Sequence, residues 1–355
     1  MRLVTIRPAD ATASDPGLSR VAAVLPNGWF LPLGSLALMM PDMLAGEIEE
    51  LDLATVMALD PTFGVLRAAM AAAEPQALEE AALDPASVRL ASPIPKPGKI
   101  LGVGYNYLDH IREQGMERPV RPVIFSKFAN AIVADGEPIR HPGLTHALDL
   151  EAELAVVIGR RASRVRAADA LHYVGGYTAA NDVTARDWQG QQKALRPGEA
   201  GDGQWLRAKS SDTFLPLGPF FVTADELGDG RGLYVRSWRT AASGPNANNP
   251  FQMQNGNTKD LLFGVAELIS IISQEITLTP GDVVITGTPS GVGVFREPQV
   301  FLEPGDLVSV EVERIGKLTN PVVDTDGQAP ADSPAARAMA ERDGQIPLAQ
   351  LSELR

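Results

Sequence analysis

Glu151 and Glu153 stand two residues apart in LDLEAELAVVIG (148–159), a run whose alternation and β-branched end predict a strand, so both carboxylates point to the same face. That face continues with Ala155 and Val157, while Leu150, Ala152, Leu154, Val156 and Ile158 make the other. Apolar residues on both sides predict a buried strand with the two carboxylates at the entrance to an apolar interior. Burying the pair uncompensated would cost several kcal/mol or force one carboxyl to keep its proton, and a divalent cation is the compact remedy. The competing reading is an edge strand with a solvated end.

A third carboxylate follows in YTAANDVTARDWQ (177–189), where a β-prone stretch runs into Asn181 and Asp182, and Arg186 comes four residues later beside Asp187 and Gln189. Alone, this reads better as a strand-to-turn junction with a surface Asp–Arg pair. Combined with Glu151 and Glu153, it makes Asp182 a candidate third ligand. The chain has no Cys and no His-x-x-x-His spacing, so a site of oxygens alone favours Mg²⁺, Mn²⁺ or Ca²⁺ over Zn²⁺.

Histidine occurs at 110, 141, 146 and 172. His110, in KILGVGYNYLDHIREQG (99–115), has Glu113 three residues on, a spacing that lets a carboxylate orient an imidazole across one helical turn. The alternative is a surface helix with Asp109, His110, Arg112 and Glu113 merely solvated. The other three histidines flank strands or turns without comparable neighbours. GVGYNY (102–107) carries Tyr107 where a dinucleotide fingerprint needs its third Gly, and ITGTPSGVG (285–293) lacks the Gly-Lys-Ser/Thr ending of a phosphate loop. Neither is a nucleotide site. The second can still present backbone N–H groups and Thr288 to a carboxylate, unless it is a tight turn only.

The elements that must position these groups form a β-rich region beginning at Lys99, with short β-branched runs punctuated by KPGK, TPGD and EPGD turns. Its clearest helix is expected over 258–275, where Leu261, Leu262, Val265, Leu268, Ile269 and Ile272 make one apolar stripe, with Asn257 or Thr258 as cap. Before it, SPIPKPG (92–98) marks a boundary. Residues 1 to about 90 read as a small accessory domain with a pair of strands, Leu3 to Arg7 and Val21 to Leu33, and helical stretches near 66–74 and 76–83. The polar tail from Thr325 is expected to be weakly helical at best and peripheral.

With 31 basic against 44 acidic residues the net charge is −13, which disfavours general attraction to nucleic acid or an anionic membrane surface. A chain of 355 residues, 45% hydrophobic, is long enough for one large or two unequal domains. The absence of Cys, a strand-like start MRLVTIRPAD without an apolar h-region, and no apolar run approaching ~18 residues predict a cytoplasmic protein.

Taken in order, GYNYLDHIREQG, PVIFSKFANAIV, LDLEAELAVVIG, YTAANDVTARDWQ, QNGNTKDLLFGVAELI and PGDVVITGTPSGVG resemble the fumarylacetoacetate hydrolase superfamily over roughly 99–320. The resemblance implies a mainly β fold with some α, a mixed β-sandwich roll spanning 93–324, beside a small N-terminal α+β domain (1–92) and a peripheral tail (325–355). It implies Glu151, Glu153 and Asp182 as ligands for Mg²⁺ or Mn²⁺, with Ca²⁺ a further candidate. It also implies His110 and Glu113 as a catalytic pair on a mobile lid, Lys209 in WLRAKSSDTF as an active-site lysine, and Arg186, Gln189 and Thr288 as substrate-pocket positions. Homodimeric assembly is implied as well. The implied activity is metal-dependent hydrolysis of a C–C bond in a small acylpyruvate-like 2-oxo (diketo) acid through an enolate. Hydratase, isomerase or decarboxylase chemistry on a 2-oxo diacid in aromatic catabolism is the alternative, and a non-catalytic oxyacid-binding protein is the reading from a different class. Two departures, Ala129 where many relatives have Pro and the Gly/Asn-rich stretch 239–258, are expected on pocket walls, where they would bear on the choice of substrate.

Overall fold

The computed structural model describes residues 1–9, 19–44, 51–201, 203–244 and 247–342. An 11-stranded sheet runs in the order Phe30–Pro32, Arg20–Val24, Arg2–Pro8, Leu215–Thr223, Val174–Asn181, Ala152–Ile158, Val283–Ile285, Ile100–Gly104, Val123–Lys127, with two short strands branching off that path. Val283–Ile285 and Ile100–Gly104 pair in parallel, whereas both neighbours of Ala152–Ile158 are antiparallel to it. A five-stranded sheet, in the order Pro250–Asn257, Tyr234–Thr240, Leu307–Val312, Gly316–Val323, Ile139–Arg140, lies against it.

The strand Ala152–Ile158 is buried along its whole length, and alternation divides it between two cores. Ala155 and Val157 join Leu3, Leu31, Leu36 and Met57 from the N-terminal region. Leu154, Val156 and Ile158 join Leu268, Ile269 and Ile272 together with Val310 and Leu318 of the smaller sheet. The expected burial on both faces is therefore present, but the strand is interrupted. Leu148–Asp149 pairs separately with Thr184–Ala185, and Leu150 and Glu151 lie in the break. The break turns the chain toward Asn181 and Asp182: Asn181 Oδ1 accepts from Glu151 N at 3.0 Å and Glu151 O from Asp182 N at 2.9 Å.

Three other expectations need correcting. The helix read over 258–275 is confined to Val265–Ser273. Upstream, the backbone of Leu262 and Phe263 donates to Asn106 O (2.7 Å) and Asn106 Oδ1 (2.8 Å), and these distant acceptors hold the segment out of the helical ladder. The tail carries a helix, Pro334–Arg342, started by Ser333 Oγ accepting from Ala336 N at 3.1 Å and docked through the fully buried Ala335. Residues 343–355 lie outside the described residues. In the N-terminal region, helices Gly64–Ala72 and Pro75–Ala81 match the pattern read there, the stretch Val21 to Leu33 divides into two strands, Arg20–Val24 and Phe30–Pro32, and Arg2–Pro8 joins the large sheet against Leu215–Thr223. No single helix among the described residues is long and apolar enough to cross a membrane.

Asp135 gives the fold a pH signature away from the site. Its partly buried carboxylate accepts from Thr319 N at 2.7 Å, yet burial outweighs that bond and lifts its pKa from 3.8 to about 6. A pKa raised by folding contributes stability that is full below 3.8 and lost as pH rises through about 6. Asp135→Asn keeps an oxygen for Thr319 and removes the charge, so it is expected to raise stability at pH 8 by up to roughly 3 kcal/mol and to leave pH 4 nearly unchanged. Urea unfolding at the two pH values checks this.

Candidate metal and acid–base site

Glu151, Glu153 and Asp182 are all buried and present carboxylate oxygens within 4.8 Å of one another. Glu153 lies on Ala152–Ile158, Glu151 just before that strand and Asp182 just beyond the end of its neighbour Val174–Asn181: Ala152 pairs with Asn181 in register, and Glu153 with Ala180, so the two strand ends meet at the cluster.

Three cations surround it. Lys209 Nζ donates to Glu151 Oε2 at 2.7 Å and Asp182 Oδ2 at 2.5 Å. Arg186 reaches Glu151 Oε1 through Nη1 at 2.6 Å, and its Nε donates to Asp149 Oδ2 at 2.9 Å. Lys127 Nζ donates to Asp182 Oδ1 at 2.7 Å and also to the Lys209 carbonyl. Burial alone would raise the Glu151 carboxyl, but Lys209 and then Arg186 outweigh it and hold its pKa at about 2. Glu153 goes the other way. Among the described residues it makes no ion pair, its Oε2 accepts only the Gly287 N–H at 2.6 Å, and burial followed by the charges of Asp182 and Glu151 pushes its pKa well above 4.5. An all-oxygen cluster with one carboxylate lacking a counter-charge fits a divalent hard cation such as Mg²⁺ or Mn²⁺.

Above the cluster, helix Leu108–Glu113 carries His110, whose Nδ1 lies 2.9 Å from Glu113 Oε2. The imidazole is buried, and its edge packs on Phe295 at 5.8 Å between ring centroids. The hydrogen bond leaves Nε2 as the free ring nitrogen. His110, Glu151, Glu153, Arg186, Gln189, Lys209 and Thr288 line one cavity of about 200 Å³. All nine residues singled out from sequence thus gather at one place: Asp182 sits in the carboxylate cluster, and Glu113 contacts His110 Nδ1. Arg186 Nη2 is buried without a hydrogen-bond partner. Thr288 Oγ1 is already committed, donating to Ala152 O at 2.9 Å and accepting from Gln254 Nε2 at 2.7 Å. The turn does present N–H groups to carboxylates, as its glycines suggested, but those carboxylates belong to the protein.

Several contributors escaped the sequence reading. Lys127 ends a strand whose other residues are mostly exposed, so alternation gave no sign that it points inward, although it lies in PVIFSKFANAIV. Tyr105, Phe125 and Trp205 close one side of the cavity, with Trp205 edge-on to both other rings. His146 does have carboxylate neighbours, Asp187 at 3.3 Å and Glu199 at 3.6 Å, but lies off the cavity. The two departures also miss the cavity wall. Ala129 is exposed, in the turn Ala129–Ala131. Among the described residues of 239–258, Gln254 reaches the site, through Thr288.

Residues 99–323 match the family description fumarylacetoacetate (FAA) hydrolase C-terminal. The chain is 44% identical over 241 residues to a mitochondrial oxaloacetate tautomerase of Xenopus laevis, covering 68% of this chain and 70% of that one. It is 42% identical over 264 residues to oxaloacetate tautomerase FAHD2A, mitochondrial, of Homo sapiens, covering 74% and 77%. Among solved structures it resembles a fumarylacetoacetate hydrolase from Exiguobacterium antarcticum (TM-score 0.68, 30% identity, 91% of this chain and 99% of that one). It also resembles a 2-hydroxyhepta-2,4-diene-1,7-dioate isomerase from Mycobacterium marinum (TM-score 0.59, 31% identity, 92% and 99%).

Proposed function

The chain belongs to the fumarylacetoacetate hydrolase family, and on that premise we propose that it is a keto–enol tautomerase of a small 2-oxo dicarboxylic acid of the oxaloacetate class. The observation that carries this reading is an acid–base group, His110 braced by Glu113, facing the same small cavity as Glu151, Glu153 and Arg186. Tautomerisation needs one proton moved between carbon and oxygen and no second reactant. Relatives at 42–44% identity carry that activity in their names. A cavity of about 200 Å³ lined by Arg186 and four glutamines also suits a short diacid.

A divalent cation held by Glu151, Glu153 and Asp182 would supply Lewis-acid charge for the oxygen that becomes negative in the enolate. Arg186, on the cavity wall with Gln189 beside it, binds the substrate carboxylate. His110 Nε2 takes the proton from the carbon next to the carbonyl and returns it to the enolate oxygen; the reverse direction uses the same groups. Glu113 fixes the ring orientation and stabilises the imidazolium formed between the two transfers. Lys209, buried beside the cluster, contributes a second fixed positive charge to the enolate.

Hydrolysis of an acylpyruvate is the second reading, favoured by the likeness to the Exiguobacterium antarcticum hydrolase. In it His110 would take its proton from water, and cleavage of the C–C bond would release a carboxylic acid and the enolate of pyruvate, which is then protonated on carbon. One assay separates them. Freshly dissolved enol-form oxaloacetate is followed by ultraviolet absorbance with protein stripped by chelator, then with Mg²⁺ or Mn²⁺ restored, and products are identified by mass. The tautomerase reading expects metal-dependent loss of enol with oxaloacetate recovered intact. Pyruvate in its place would indicate a decarboxylase, and inertness here with acylpyruvate split into two acids would indicate the hydrolase.

A further inference from the structure

The turn Gly287–Val294 hands successive backbone N–H groups to four separate carboxylates. Gly287 donates to Glu153 at 2.6 Å, Ser290 to Asp109 at 3.2 Å, Gly291 to Glu113 at 3.0 Å, and Gly293 and Val294 to Asp149 at 2.8 and 3.1 Å. Glu153 belongs to the metal cluster, Glu113 orients His110, and Asp149 holds Arg186. Asp109 has no place in the chemistry above, yet it accepts three hydrogen bonds. Its Oδ2 accepts from both Ser290 N and Ser290 Oγ, the latter at 2.7 Å, and its Oδ1 accepts from His110 N at 2.8 Å.

We propose that Asp109 is a positioning residue that latches the His110 helix onto this turn, so that the acid–base group and the carboxylate cluster are held in register by one piece of backbone. The helix has only six residues, Leu108–Glu113, too short to hold its place by its own hydrogen bonds. Its root is fixed, because buried Asn106 donates to Thr286 O at 2.8 Å and Phe263 O at 3.1 Å. Its far end runs into Gly115, at φ 66°, and then a stretch without helix or strand. Between root and far end, the helix is bound to the turn by the carboxylates of Asp109 and Glu113, four residues apart and so on one helix face. Two like charges on that face would repel if the turn did not offer adjacent N–H groups to each. The fit is close, since a Cβ at Gly287, which sits at φ +97°, would lie 2.9 Å from Asn106 Cβ. The same turn holds Glu153 through Gly287 N, a separate hydrogen bond that breaking the Asp109–Ser290 contact leaves in place.

The test is hydrogen–deuterium exchange over residues 105–116 of the full chain in the parent, Asp109→Ala, Ser290→Ala and the double variant, with Mn²⁺ affinity and kinetics alongside. Asp109→Ala should speed exchange there about tenfold or more and Ser290→Ala less. The double variant should add little to Asp109→Ala, because both changes break one contact. Mn²⁺ affinity should stay within about threefold. Turnover should fall about 10- to 100-fold with KM little changed, the pattern of a misplaced rather than a missing group. Should Asp109→Ala not fold, the isosteric Asp109→Asn, whose one oxygen cannot serve both Ser290 N and His110 N, carries a smaller change in the same direction. Unchanged exchange over 105–116, or full additivity of the two single variants, would overturn the latch. The kinetic arm rests on the acid–base role given to His110; the exchange arm does not, so a wrong substrate and a wrong latch give different results.

Discussion

Lys209→Met should lower turnover by about 10²- to 10³-fold, the loss expected for one preorganised positive group at a developing charge, while Mn²⁺ still binds. The ammonium is buried between Glu151 and Asp182, at 2.7 and 2.5 Å, and the cost of its burial is outweighed by those two charges, which raise its pKa. Met keeps the length of the side chain and removes the charge, so the substrate pocket is little altered in volume. Without a cation in the cluster, the variant leaves Glu151 to Arg186 and Asp182 to Lys127, and losing one partner of a buried ionic network costs about 3–5 kcal/mol. A divalent cation restores that charge. The metal-free variant is therefore expected to melt well below the parent and to recover most of the difference on adding Mn²⁺, a result that separates charge loss from misfolding. Turnover equal to the parent's would remove Lys209 from the mechanism.

What could be read from sequence here followed from local spacing. Glu151 and Glu153 were paired by alternation, and His110 with Glu113 by helical spacing; both inferences depend on residues within four positions of one another and survive even though the strand breaks at Glu151. The helix before Val265 failed for the opposite reason. Its apolar stripe is intact, but Asn106, some 157 residues away in the chain, takes its backbone donors, and no local pattern announces such a partner. Lys127 is similar: its inward direction is set by Asp182, 55 residues on.

The Gly-rich turn lies between these cases. Its glycines signalled N–H groups free to meet anions, and the physics of that expectation was sound. Which anions it meets was decided by the parallel pairing of Val283–Ile285 with Ile100–Gly104, which brings the end of one strand beside the helix that follows the other. The tail helix is not legible because its composition is polar; a Ser–Pro start, buried Pro334 and Ala335, and Arg342 reaching Gly136 O dock it.

Glu153→Gln should abolish metal-dependent turnover and yet leave the metal-free protein more stable than the parent. Glu153 is the cluster's uncompensated carboxylate, with the Gly287 N–H as its partner and a pKa driven upward by burial, Asp182 and Glu151. In the metal-free parent, a carboxyl whose pKa is raised by folding contributes stability that is complete below 4.5 and is lost as pH rises through the raised value. Gln cannot lose a proton. Its oxygen can keep the Gly287 contact while its NH₂ turns toward the oxygens of Glu151 and Asp182, so at neutral pH the metal-free variant is expected to gain about 1–4 kcal/mol, and the falling limb of stability above pH 4.5 should flatten. With Mn²⁺ the order reverses, because the variant offers two charged ligands where the parent offers three; affinity should fall by about 10²-fold or more, and the stabilisation that a bound cation gives the parent should vanish with it. Thermal unfolding with and without Mn²⁺ at pH 5 and pH 8 reads both halves. A variant less stable than the parent when metal-free would mean that Glu153 is already satisfied in the folded chain, and the charge argument for a cation at this site would fall with it.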